Sequence, residues 1–237
     1  MQKGNDIVVA AAGSGKRADL GLNKMYAKID GIPLLYRTLH RLDGIRSVGR
    51  IVVVVRREEE RQFGRMMRRY GLLEKIAAVV HGGLRRADSV RNGLRYLLDR
   101  VPSNLVLVHD GARPFVSSRL IDRLADAAKR VGAAIPVIEV DDTVRRRDGE
   151  RTEVVDRSLL LLTQTPQAFR KGMIETCFLS ERQLSLQLTD DAAYLEREGF
   201  RVETVEGEKS NIKITRGEDI AWAECLLVRH PELNIAL

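Results

Sequence analysis

Gly13-Ser14-Gly15 follows an apolar run and precedes three cations, Lys16, Arg17 and Lys24. Glycines ahead of cations suit a backbone wrapped around phosphate: the N–H groups approach the anion and the cations neutralise it. Three kinds of loop begin this way. A P-loop, G-x-x-x-x-G-K-[ST], needs a glycine where the chain has Ala10 and a hydroxyl where it has Arg17, so it is excluded. A dinucleotide fingerprint, G-x-G-x-x-G/A, is matched by Gly13, Gly15 and Ala18. It also needs an immediate helix and a second strand ending in an acid about 20 residues on. Asp19 to Gly31 instead reads as loop, and the next strand ends at Val55-Arg56. A nucleotidyltransferase loop remains, with Arg17 and Lys24 as its cations.

Asp110 closes an apolar strand three residues before Arg113. A carboxylate there suits Mg²⁺ or another divalent cation, which takes hard oxygen ligands and bridges nucleotide phosphates. A purely structural Asp110–Arg113 pair is the alternative. The two cysteines, Cys177 and Cys225, are far apart and read as small core residues on helices, so no metal-thiolate site is expected. No Ser/His/Asp or Cys/His constellation is evident. Phosphoryl transfer does not need one, because positioning and charge neutralisation carry it.

The elements that must position these groups alternate. Short apolar runs at Asp6–Ala11, Ile51–Val55 and Leu105–His109 read as buried strands, Ile76–Val80 as a short strand and Ala133–Val140 as extended. Between them lie helices over Pro33–Leu42, Glu58–Tyr70 and the stretch after Gly82-Gly83, the last capped by Asp88 or Ser89. A further helix runs from a Ser117 cap to Val131 and is stopped by Gly132. The rhythm predicts an α/β, Rossmann-like fold: a mostly parallel twisted sheet with helices on both faces. Ligands in such folds sit beyond the carboxyl ends of the strands, which points to the loops after Ala11, Val80 and Val108.

Ile138–Arg157 breaks the rhythm. Two polar, β-rich halves flank Asp148-Gly149, a hairpin signal, and predict a projecting β-hairpin arm that serves as an oligomer contact. A helix around Tyr194 and Leu195, strands at Phe200–Val205 and Asn211–Thr215, and a C-terminal helix with Trp222 and Leu226 complete the chain. One domain over residues 1–237, with an arm at about 138–157, is expected. The net charge of +7 suits an anionic partner. Only 5% of residues are aromatic, and the basic clusters, Arg65 to Arg69 and Arg145 to Arg147, are short. A base-stacking nucleic-acid surface is therefore not expected. No apolar run approaches membrane-spanning length, and a strand is entered by Ile7, so a soluble cytoplasmic protein without a signal peptide is expected.

Eight blocks occur in order: AAGSGKR…K, GGLRRADSVRNGL, VHDGARPF, DDTV, VVDRSLL, QTPQAF, TDDAAYLE and NIKIT. Together, from Val8 to about Ala223, they resemble the 2-C-methyl-D-erythritol 4-phosphate cytidylyltransferases. The resemblance implies attack of a phosphate monoester oxygen on the α-phosphorus of CTP, expelling pyrophosphate. It implies that Ala11, Ala12, Gly13, Ser14 and Gly15 hold the triphosphate, and that Arg17 and Lys24 offset the developing charge. Gly82, Gly83 and Ser89 would form the cytosine pocket, and Asp110 would serve nucleotide, substrate and metal. Arg113, Thr143, Arg157 and Lys213 would contact the polyol phosphate, with Lys213 also assisting catalysis; Thr143 and Arg157 would reach across a homodimer on the arm. His109, Thr189 and Asp190 are given no chemistry. Met25 departs from the family's usual glutamine and removes a hydrogen-bonding side chain next to Lys24. A ribitol 5-phosphate cytidylyltransferase, or a non-catalytic nucleotide-binding protein on the same fold, are the alternatives.

Overall fold

A computed structural model describes residues 4–13, 23–98, 104–178 and 190–235. Four parallel strands come first: β1 (Asn5–Ala10), β4 (Val48–Val55), β5 (Ile76–His81) and β6 (Leu105–Asp110). They lie in the order β5-β4-β1-β6. β2 (Lys28–Ile29) and β3 (Ile32–Pro33) form a separate small ribbon. Residues of β1, β4 and β6 alternate between two apolar layers. Ile7, Val9, Ile51, Val53 and Leu107 face one, and Val8, Val52, Val54, Val106 and Val108 face the other. That is why these strands read as continuous apolar runs. The first layer packs on α1 (Leu34–Asp43), α2 (Glu60–Tyr70), α4 (Ser118–Val131) and α7 (Glu218–Arg229). The second packs on α3 (Arg86–Leu98), α5 (Lys171–Phe178) and α6 (Ala193–Arg197).

β7 (Ala133–Glu139) runs parallel to the first four strands but is separated from β6 by β11 (Gln167–Arg170), which is antiparallel to both. β10 (Leu161–Thr163) adds antiparallel to β7, and β12 (Glu203–Glu206) pairs β7 in parallel. The sheet is therefore mostly parallel, as expected, with two reversed strands absent from the sequence reading. β10 and β11 are too short, at three and four residues, to leave a periodicity in the sequence.

The arm is a two-stranded ribbon, β8 (Val144–Asp148) with β9 (Arg151–Val155), which pairs with no other strand among the described residues. Its turn is Gly149-Glu150, one residue past the expected Asp148-Gly149 centre, with Gly149 at φ 57.

Three further expectations need correction. α3 begins at Arg86, so Asp88 and Ser89 lie in its first turn instead of preceding it; Asp88 reaches back to accept from the N–H of Arg85 at 3.2 Å. Asn211–Thr215 is irregular and not a strand: its Ile214 N–H bonds to the Ala112 carbonyl without forming a ladder. Phe200–Val205 becomes a strand only from Glu203. The Ser117 cap and the Gly132 stop are as expected, with the Ser117 side chain accepting from Leu120 and Gly132 at φ 106. Cys177 is buried, but Cys225 is exposed on the outer face of α7 and is not a core residue.

Candidate active site

The carboxyl ends of β1, β5 and β6 open onto a cleft of about 760 Å³. Its wall includes Ala12 and Gly13 after β1, Lys24, Arg56 after β4, the Gly82–Arg86 turn with Ser89, Asp110 and Ala112 after β6, and Lys213. Larger hollows of about 840 and 920 Å³ lie against α1 and α2, but neither gathers the strand-end loops.

The glycine turn is built for close approach. A Cβ on Gly82 would fall 2.4 Å from that of Ala12 and 2.8 Å from the Ser89 hydroxyl, so only glycine lets this turn meet the β1 loop. Ser89 is buried; its Oγ accepts from the Gly83 N–H at 3.1 Å and donates to the Arg85 carbonyl at 3.1 Å. The hydroxyl thus braces the turn and holds Gly83 in the cleft wall.

Asp110 ends β6 almost fully buried and collects three cations. Its Oδ1 accepts from Arg86 Nε at 3.2 Å and Nη2 at 3.1 Å. Its Oδ2 lies 2.7 Å from Lys213 Nζ and 3.8 Å from Arg113 Nε. Burial alone would raise its pKa, but Arg86, then Lys213 and Arg113, reverse this and hold the carboxyl well below the usual carboxylate range. It is ionised at neutral pH. Below it, the Asp110 N–H donates to Thr165 Oγ1 at 3.0 Å. Thr165 Oγ1 is 3.2 Å from His109 Nδ1, and His109 Nε2 is 3.1 Å from the Arg113 carbonyl. For a neutral imidazole one proton arrangement satisfies all three bonds: Thr165 donates to Nδ1 and the Nε2–H donates to the carbonyl. Burial pushes the His109 imidazole down to about 4, so it is neutral. His109 is a brace for the Asp110–Arg113 turn, consistent with its having no catalytic role.

Lys24 starts a short 3-10 turn capped by Asn23, whose side chain accepts from the Met25 N–H at 3.0 Å. Lys24 Nζ donates to the Ile214 carbonyl at 3.0 Å, which ties the first loop to the Lys213 segment. Met25 is 4% exposed and packs into the apolar layer, so its side chain serves as core and its N–H is satisfied by Asn23. Ile212 and Ile214 turn toward the same layer while Lys213 faces outward, as their alternation predicts even without a strand.

Not every expected residue lines the cleft. Ala11 is buried beneath it, its N–H bonded to Val54 at 2.9 Å. Arg113 lies buried behind Asp110 and donates through Nη1 to the Asn211 carbonyl at 2.7 Å. Thr143 and Arg157 are on the exposed arm and its base, where Arg157 donates to the Asp141 carbonyl, and neither lines this cleft. Ser14, Gly15 and Arg17, like Thr189, lie outside the described residues.

Sequence reading missed Arg86, Asp191, Arg56 and Glu59. Arg86 forks onto Asp191 through Nη1 and Nη2, both at 2.8 Å. Burial would lower its pKa, but Asp191 and Asp110 hold it above the usual arginine value. Arg56 Nη2 donates to the Gly13 carbonyl at 3.3 Å, and Glu59 accepts from Asn23, so one cluster holds Gly13 and Asn23. The only visible signal was the Arg-Arg pair inside GGLRRADSV and the acid pair in TDDAAYLE.

Among the described residues, no group of three His, Cys, Asp or Glu side chains could enclose a metal. Asp110, an ionised carboxylate on the cleft wall, is the hard oxygen ligand that a cation of the magnesium type takes.

The family model described as 2-C-methyl-D-erythritol 4-phosphate cytidylyltransferase matches residues 6–229. A protein of that name from Geobacillus thermodenitrificans is 43% identical over 223 residues, covering 94% of this chain and 96% of the relative. The crystal structure of the enzyme of that name from Thermus thermophilus superposes with TM-score 0.75 at 33% identity, covering 94% of this chain and 98% of the other. A 4-diphosphocytidyl-2C-methyl-D-erythritol synthase structure from Anaerococcus prevotii gives TM-score 0.80 at 32% identity, covering 96% and 97%.

Proposed function

The chain belongs to the 2-C-methyl-D-erythritol 4-phosphate cytidylyltransferase family, and from that premise we propose how its residues divide the work. The reaction transfers CMP from CTP to 2-C-methyl-D-erythritol 4-phosphate in isoprenoid precursor biosynthesis. A phosphate oxygen of the polyol attacks the α-phosphorus, the bond to the bridging oxygen breaks, and its electron pair leaves with pyrophosphate. The ribitol phosphate alternative is not favoured by these matches.

Gly13, Ser14 and Gly15 present N–H groups to the triphosphate, with Ala11 and Ala12 shaping the approach. Lys24, and Arg17 from the same loop, offset charge on the α-phosphate and leaving group. Gly82 and Gly83 meet the cytosine edge, with Ser89 bracing them. Asp110 would hold the divalent cation, Mg²⁺ in the simplest case, which would supply charge neutralisation to the phosphates. Lys213 contacts the incoming polyol phosphate, and Arg113 fixes the Asn211–Lys213 segment through the Asn211 carbonyl. Thr143 and Arg157 serve the partner's cleft across a homodimer. That reading is supported by the exposed arm, with Val154 on it and Leu159, Leu161 and Leu162 next to it, each at least half exposed. The enzyme is a single domain and works in the cytoplasm; among the described residues no helix is long and apolar enough to cross a membrane.

The observation that carries the assignment is the convergence of Lys24, Asp110, Lys213 and the Gly82-Gly83 turn on one cleft. Pyrophosphate release from CTP, with methylerythritol phosphate or ribitol phosphate offered separately, tests it. Release is expected with the former and is abolished by EDTA. Release with ribitol phosphate alone would overturn the assignment.

A further inference from the structure

Arg86 occupies an unusual position among the cleft cations. Its guanidinium sits between two buried carboxylates, Asp110 at the end of β6 and Asp191 just before α6. Every contact is between 2.8 and 3.2 Å. Four charges therefore form a chain, Asp191–Arg86–Asp110–Lys213, that crosses the cleft floor. The two nearest cations on Asp110 differ, Arg113 standing off at 3.8 Å. Arg86 takes Oδ1 with a rigid fork anchored at its far side. Lys213 takes Oδ2 at the end of a flexible stem and is 39% exposed at its side chain.

We propose that Arg86 is a positioning residue: by holding Oδ1 of Asp110 from an anchor on Asp191, it keeps Oδ2 facing the cleft and frees Lys213 to exchange that carboxylate for a substrate phosphate. The physical reason is compensation. A carboxylate this buried is costly without a paired cation. If Lys213 were its only close partner, moving the ammonium to a substrate would strand the charge, and Lys213 would stay where it is. Arg86 removes that penalty because its own charge remains on Asp110 throughout. Asp191 in turn sets the fork's plane and joins the cleft floor to α6, outside the first-loop and glycine-turn walls.

The proposal rests on the assigned reaction, in which Lys213 meets the polyol phosphate. Turnover of methylerythritol phosphate by the unmodified enzyme tests that reaction separately, so a null result on an active parent bears on Arg86 alone. Arg86→Gln removes the charge and the fork and leaves a shorter polar side chain. It should lower kcat/KM for the polyol phosphate at least about tenfold, with KM for CTP changed less than about threefold. Placed on Lys213→Ala, the same substitution should cost less than about threefold more, because the residue it acts through is gone. Asp191→Asn, which leaves Arg86 in place, should show the same KM pattern with a smaller loss and serves where Arg86→Gln fails to fold. An undiminished effect on the Lys213→Ala background, or a rise in KM for CTP matching the loss toward the polyol phosphate, would assign Arg86 to general support of the glycine turn and overturn the proposal.

Discussion

Lys24 and Asp110 illustrate what single residues contribute. Lys24 is held by a capped turn and a bond to Ile214, so its ammonium is placed before substrate arrives. Lys24→Ala should lower kcat about 10²–10³-fold, as expected when a preplaced transition-state charge is removed, while the thermal melt stays cooperative. A loss confined to KM for CTP would mean that Lys24 only binds. The cysteines give a second, purely physical prediction. Burial pushes the Cys177 thiol up to about 11, whereas Cys225 is exposed. At pH 8, a maleimide should modify Cys225 in the folded protein and reach Cys177 only after unfolding, as read by mass spectrometry. Prompt labelling at Cys177 would contradict its burial in the layer under α5.

Elements decide which of these residues could be recognised in the sequence alone. Lys24, Gly82, Gly83 and Asp110 were legible because each sits in or beside a loop after an apolar run, where an α/β sheet must place its ligand, whereas Lys213 was marked only by its place in the NIKIT block. Arg86 was not legible: it lies beside Arg85 in the GGLRRADSV block, and only the start of α3 turns one inward and leaves the other at the surface. Asp191 was hidden for the same reason, since its partner is 105 positions away in the chain. The Lys213 segment was misread as a strand because Ile-Lys-Ile alternates whether or not a ladder forms. α3 also carries the element-scale prediction. A Cβ on Gly93 would lie 2.5 Å from Val8 Cγ1 and 2.9 Å from Val54 Cγ2, so the glycine lets α3 lie down on β1 and β4. Gly93→Ala should destabilise the fold by about 1–3 kcal/mol in a urea melt and raise KM for CTP, because the helix carries the glycine turn at its start. An unchanged midpoint would mean the layers can separate at no cost.

At the scale of the whole molecule, the arm poses a question that the single chain leaves to its assembly. Thr143 and Arg157 lie away from the cleft that holds Asp110 and Lys213. If the arm serves a partner, Arg157→Ala should raise KM for the polyol phosphate more than for CTP. At a polyol phosphate concentration too low for Arg157→Ala to turn over, mixing Lys24→Ala with Arg157→Ala subunits should then restore activity. In each mixed dimer one site combines both defects and the other has neither, so about a quarter of the parental rate returns after random exchange. Mixtures as inactive as their parents would place Arg157 at its own chain's site.

The central claim is transfer of CMP from CTP to an oxygen of the polyol phosphate in this one cleft. It is tested most directly with acceptor methylerythritol phosphate carrying ¹⁸O on its phosphate, incubated with CTP and Mg²⁺ and followed by ³¹P NMR. The account predicts a diphosphate diester in which every label stays on the phosphorus attached to the polyol, one of them in the bridge to CMP. Pyrophosphate release without that product, or with CMP as the only nucleotide formed, would contradict it.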